Sequence, residues 1–147
     1  MEPTKVTRVI IKRLAPDADL LEELTKLVRA EGVRLGIISG IGALKAAAVG
    51  MFDQGKREYV TTRWDEEMEI CALTGNVSVK DGQPFVHAHL VVSDGRARAF
   101  GGHLMPGNKI FVAEVVIVVL EGPELKRVPH EECGGLAVWA RANVGVE

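Results

Sequence analysis

The chain has 147 residues, 47% hydrophobic and 26% charged, with 18 basic and 20 acidic residues for a formal net charge of −2. That is enough apolar material for a core without a disulfide framework, and the dispersed charge leaves no basic stripe of the kind that grips DNA through its phosphates. No apolar stretch approaches the roughly 20 residues of a membrane span. The opening Met1-Glu-Pro-Thr-Lys has no apolar run, so a cytoplasmic protein with no membrane association is expected, a single domain over residues 1–147. Cys71 and Cys133 form no Cys-x-x-Cys pair and read as two reduced thiols.

Val6 to Arg13 is β-rich and predicts a strand. Pro16 and Asp17 end it. Asp19 and Glu22 have the spacing of a capping box, and Leu20, Leu21, Leu24, Leu27 and Val28 recur at helical spacing up to Gly32, predicting one long amphipathic helix. Leu35 to Ile41 predicts a strand, followed by a small-residue passage around Gly40-Ile-Gly-Ala-Leu44. Ala46–Phe52 and Glu58–Trp64 predict two strands joined by a turn at Asp53–Lys56. Glu67 to Val79 predicts a longer strand bulged near Gly75, and Lys80–Pro84 a turn. A hairpin then carries His87, His89 and His103. Met105–Asn108 is a turn, Ile110–Leu120 the last strong strand, and Leu136–Trp139 a short edge strand. Short strands joined by tight turns imply mostly antiparallel pairing, so the expected fold is α/β of the α+β type: a bent sheet with one N-terminal helix packed on it. The strand at Ile110–Leu120 is apolar on both of its faces. One helix covers too little to bury both, which predicts a homo-oligomer in which a second copy supplies the other layer.

Three of the four histidines lie within 17 residues. His87 and His89 share one face of a strand. With a three-residue loop, Asp94–Arg96, Ser93 would pair with Ala97 and His87 would face His103; with a two-residue loop, a bulge at Gly101-Gly102 would be needed to bring His103 back to that face. Three converging imidazoles with an open fourth position suit a divalent metal, zinc first, with Fe, Ni and Cu as alternatives. The competing reading is three polar strand residues facing solvent or a subunit contact. Glu114 is the only charge in the Ile110–Leu120 strand. A buried carboxylate there needs a partner, either as a catalytic acid/base or ligand orienter near a metal, or in a structural ion pair. Glu69 is a weaker case of the same kind. His130 with Cys133 has ligand-like spacing in an acidic loop. The clusters Lys12-Arg13, Arg96/Arg98 and Lys126-Arg127 read as solvated strand ends rather than DNA contacts.

Taken together, Glu31-Gly-Val-Arg-Leu-Gly36, Ser39-Gly-Ile-Gly-Ala-Leu44, Leu73-Thr-Gly-Asn-Val77, Gly82-Gln-Pro with Val86-His-Ala-His89, Gly101-Gly-His-Leu104 and Ala113-Glu-Val-Val-Ile117 resemble the plant- and prokaryote-conserved (PPC) domain. The resemblance implies a bent antiparallel sheet with a packed helix, similar to acetolactate decarboxylase, where three histidines bind zinc, and it implies homotrimers. It makes His87, His89 and His103 the matching metal ligands. Plant members carry the domain beside AT-hooks, so DNA is an implied partner. This chain lacks an Arg-Gly-Arg-Pro hook and has Glu66-Glu-Met-Glu-Ile-Cys71 where the plant pattern is Gly-Arg-Phe-Glu-Ile-Leu. Two function classes follow: a metal-dependent enzyme acting on a small-molecule substrate, or a DNA-associated regulatory or oligomerisation module without catalysis.

Overall fold

The computed structural model describes residues 3–140, so the expected domain of residues 1–147 reaches beyond the described residues at both ends. Strand β1 (Lys5–Arg13) leads into helix α1 (Leu20–Ala30). The helix starts where Asp19 caps it, its side chain accepting from the Glu22 amide, and it stops before Gly32, whose φ of 63° is the left-handed turn that glycine adopts without strain. Its buried residues, Leu20, Leu24 and Val28, lie one turn apart, and the helix packs against the strands β5 and β7 defined below.

After the helix come β2 (Gly36–Asp53), β3 (Glu58–Trp64), β4 (Met68–Lys80), β5 (Gln83–Ser93), β6 (Ala99–Leu104) and β7 (Lys109–Glu121). They form one antiparallel sheet with β1, in the order β1-β7-β2-β4-β5-β6, and β3 also pairs with β2. Two expected strands, Leu35–Ile41 and Ala46–Phe52, are in fact one 18-residue strand. The small residues between them do not leave the sheet. They bend it: Gly42 has φ 152° and lies so close to β7 that a Cβ there would fall on the Val112 carbonyl oxygen, and the register slips on both sides of this segment. The bend lets the second half of β2 meet β6, through Val49↔Leu104 and Gly50↔His103. Strands β2, β4, β5 and β6 therefore close into a ring.

The bulge in β4 lies between Ile70 and Ala72, at Cys71, and not near Gly75. It switches which parity faces the core: Met68 and Ile70 are buried before it, Leu73 and Val77 after it. That leaves Thr74, Asn76 and Ser78 on the opposite face. Gly75 is instead a point of close approach, where a Cβ would lie 2.4 Å from the His87 carbonyl oxygen. Pro84 sits inside β5, paired with Val79, because the turn needs only Asp81-Gly82. A second, two-stranded sheet pairs β8 (Arg127–Pro129) with β9 (Ala137–Trp139). The sequence pattern showed only the second of these strands.

One face of β1, β7 and β2 is apolar and uncovered. Val9 pairs with Val118, which pairs with Ile37; Ile11 pairs with Val116. Val9 is 52% exposed, Ile11 79% and Ile37 51%. The other face of β7 is sealed by Ile110, Ala113, Val115 and Ile117, all within the core. The two-sided apolar pattern of β7 is thus real, and a single protomer covers only one side of it.

Candidate metal centre

Along β5 the even residues Val86, Ala88, Leu90 and Val92 are buried, so the odd residues His87 and His89 point away from the core. The hairpin loop has five residues, Asp94–Arg98, with Ser93 opposite Ala99. Asp94 determines that length. Its side chain accepts from the Arg96 and Arg98 amides and pairs with the Arg98 guanidinium. Neither of the loops expected from the sequence forms, and β5 and β6 pair without a bulge at Gly101-Gly102. Because five, like three, is odd, His103 still falls on the histidine face, but opposite His89 rather than His87. All three rings converge, with centroids 5.0–5.6 Å apart and one ligating nitrogen from each within 4.8 Å of the others. Tetrahedral zinc, with nitrogens at about 2.0–2.1 Å, holds its ligand atoms about 3.4 Å apart, so small ring rotations would close the triangle on an ion. Nδ1 of His103 is buried with no hydrogen-bond partner. An unsatisfied buried nitrogen is costly, and a metal would satisfy it. On this observation the three residues fit a divalent ion.

Two residues that the sequence does not mark as part of this site complete the surroundings. Arg127, read from sequence as a solvated strand end, is 7% exposed. It reaches across from β8 to the outer face of β4, donating to Ser78 Oγ at 2.8 Å, Asn76 Oδ1 at 2.9 Å and the Ala137 carbonyl at 3.1 Å, and it lies 3.0 Å from Nδ1 of His87. Its guanidinium also lies over the rings of Phe85 and Trp139. The alternation of Asn76 and Ser78 with buried valines was the available signal for this site, and it became readable only once the bulge had set the parity. Tyr59, the only tyrosine, stacks on His103 with centroids 4.9 Å apart. Gly50 admits this ring, since a Cβ there would lie 3.1 Å from Tyr59 Cδ1. Burial raises the Tyr59 hydroxyl above its usual range, against the pull of Arg127, so it stays protonated.

Burial, and then the Arg127 charge and the two other imidazoles, push His87 down from 6.5 to about 4. Burial, His89 and Arg127 lower His103 in the same direction. Both rings are therefore neutral at pH 7, the form that ligates metal. Below pH 6.5 the unfolded chain takes up protons that the folded protein refuses. The metal-free protein is therefore expected to lose stability as pH falls from 6.5 towards 4, with no slope from these rings above 6.5. Denaturant titrations at several pH values should show this slope, and it should flatten in His87→Gln.

Glu114 is not part of this cluster. It is exposed, on the uncovered face of β7 between Arg13 of β1 and Ile41 of β2. The expectation of a buried carboxylate fails because that face of the strand has no cover within one chain. Glu69 is also exposed, opposite Ser93. His130 lies 3.9 Å from Glu132, and Cys133 is exposed; among the described residues the three histidines are the one group of metal-ligating side chains that converges. Ser39–Leu44 is part of the bend in β2.

The family model of the Plants and Prokaryotes Conserved (PCC) domain matches residues 1–121. The bifunctional protein GlmU of Synechococcus sp. (strain JA-3-3Ab) is 38% identical over 136 residues; the match covers 91% of this chain and 21% of GlmU, so the chain spans about a fifth of that relative's length. A PPC protein from Pyrococcus horikoshii superposes with a TM-score of 0.91 at 35% identity, over 98% of this chain and 99% of its own. A metal-containing protein from Archaeoglobus fulgidus does so at 0.87 and 35% identity, over 95% and 97%. A candidate DNA-binding protein from Bacteroides thetaiotaomicron gives 0.83 at 25% identity, over 92% and 94%.

Proposed function

The chain belongs to the Plants and Prokaryotes Conserved (PCC) domain family, and from that premise we propose that it is a self-associating metal protein whose ion is held by His87, His89 and His103. The observation that carries this reading is the convergence of one ligating nitrogen from each of three histidines within 4.8 Å, on rings of which His103 also has a buried Nδ1 without a hydrogen-bond partner. The metal-containing relative from Archaeoglobus fulgidus supports it. Zinc is the proposed ion, because three neutral imidazoles and an open position are a common zinc arrangement. When bound there, the ion would acidify a water or polarise an oxygen of a small-molecule substrate. The chain's own residues would then do the rest: Tyr59 sets a protonated phenol ring against His103, and Arg127 places a positive charge beside His87. A catalytic role for Glu114 would be available only at a site completed by a second copy. The uncovered face of β1, β7 and β2 supports self-association, and a homotrimer is the state that the family resemblance implies. Two exposed free thiols suit a reducing compartment, the cytoplasm. No described helix is long and apolar enough to cross a membrane. Elemental analysis of purified protein tests the central claim: one ion per chain is expected, removable by chelator.

A second reading, a DNA-associated module, has the Bacteroides relative in its favour. The net charge of −2 and the burial of Arg127, which removes one of the few basic clusters from the surface, weigh against it. Titration with duplex DNA at physiological salt is expected to show no binding. An affinity that falls steeply with added salt would reverse the ranking of the two readings.

A further inference from the structure

Arg127 carries a permanent charge in a nearly closed position. It is 7% exposed, and its polar contacts are to Ser78, Asn76, the Ala137 carbonyl and His87. None is acidic, and Arg127 has no ion pair among the described residues. A buried guanidinium is ordinarily matched by a carboxylate, because its desolvation is otherwise uncompensated. With the metal in place the imbalance grows, since a dication on three neutral imidazoles beside a guanidinium leaves the whole centre positive.

The contact with His87 adds a second constraint. Arg127 can only donate, so Nδ1 of His87 must accept, 3.0 Å away, and the proton of the neutral ring then sits on Nε2. In that arrangement neither nitrogen of His87 has a lone pair free for an ion. An anion that takes over the Arg127 N–H would free the His87 ring to offer a lone pair to the ion and would neutralise the guanidinium at the same time. Most of the donors of Arg127 are tied to the protein, which suits a planar carboxylate needing one or two of them better than a phosphate needing several. Phe85 and Trp139 against the guanidinium offer apolar surface to an organic body.

We infer that the centre takes a small organic carboxylate together with the metal, the carboxylate replacing His87 Nδ1 as an acceptor of Arg127. This rests on the metal reading above and gives its substrate a chemical class. The two ligands then assist each other, and by linkage the assistance is equal in both directions. Co²⁺ is titrated into chelator-treated protein and followed by its visible absorption, with acetate or pyruvate replacing chloride at constant ionic strength. The carboxylate is expected to tighten Co²⁺ binding by about tenfold or more, within the usual range of such coupling, and neutral acetamide to leave it unchanged. Complexation of Co²⁺ by free acetate would act in the opposite sense and cannot imitate this. Arg127→Gln is expected to bind Co²⁺ tightly without carboxylate and to lose the coupling. If that variant does not fold, the wild-type titrations decide alone. Equal Co²⁺ affinity with and without carboxylate overturns the inference and leaves the metal reading standing. Coupling to inorganic phosphate but not to carboxylates overturns the ligand class. Failure of Co²⁺ to bind under every condition overturns both readings.

Discussion

Replacing His87 and His89 together by alanine is expected to abolish stoichiometric metal binding while leaving the fold intact. Both side chains lie on the face of β5 opposite the core, and Val86, Ala88, Leu90 and Val92 keep the packing of that strand. Arg127 keeps Ser78, Asn76 and the Ala137 carbonyl as partners when His87 is lost. Two of three ligands disappear, so the affinity should fall well beyond the roughly 10–100-fold that loss of an outer hydrogen-bond partner costs. Calorimetric titration with Zn²⁺ reads the affinity, and circular dichroism reads the fold. A folded double variant that still holds one ion per chain would place the metal elsewhere and remove the proposed function.

The second large effect is expected from Ile11→Asp, which should convert the proposed assembly into monomers. Ile11 is 79% exposed in the single chain, so the protomer itself should tolerate the change to within about 0.5 kcal/mol. In an assembly that covers this face the same side chain is buried beside Val116. Burying a residue of this size contributes about 1.5–3 kcal/mol, and stranding a carboxylate in its place adds a desolvation cost of several kcal/mol. Repeated at each copy of the interface, that exceeds what a moderate association can offset. Light scattering over a range of concentrations measures the outcome. A wild-type protein that is already monomeric at micromolar concentration would remove the self-association proposal outright.

Local patterns were legible in the sequence where one rule decided the outcome. The helix was readable because its cap at Asp19, its apolar stripe and its stop at Gly32 agree, and β3 because turn residues bound it on both sides. The convergence of the three histidines was also readable, since strand parity needs only an odd loop length. The actual length was not, because it depends on the hydrogen bonds of Asp94, which compete with a tighter turn. The small-residue segment of β2 reads as a break, because nothing local tells a bend within a sheet from an exit out of it. Arg127 and Glu114 were each assigned the other's environment. The charge in an apolar strand is exposed, and the charge in a polar segment is buried. Burial of each is decided by partners distant in sequence: the outer face of β4 for Arg127, and the lack of any cover on β7 for Glu114. Tyr59 reaches His103 only because the second half of β2 brings β3 and β6 together.

That long second strand has a wider bearing on how the molecule comes apart. β2 exchanges hydrogen bonds with β3, β4, β6 and β7, so four of its neighbours lose their pairing when it is withdrawn. Most proteins open piecemeal, one cooperative unit at a time. Here every sizeable piece shares the same spine, so amide protons along residues 36–50 should exchange only through global unfolding. The histidine-bearing hairpin, fastened to that spine at Gly50↔His103, shares in its slow opening.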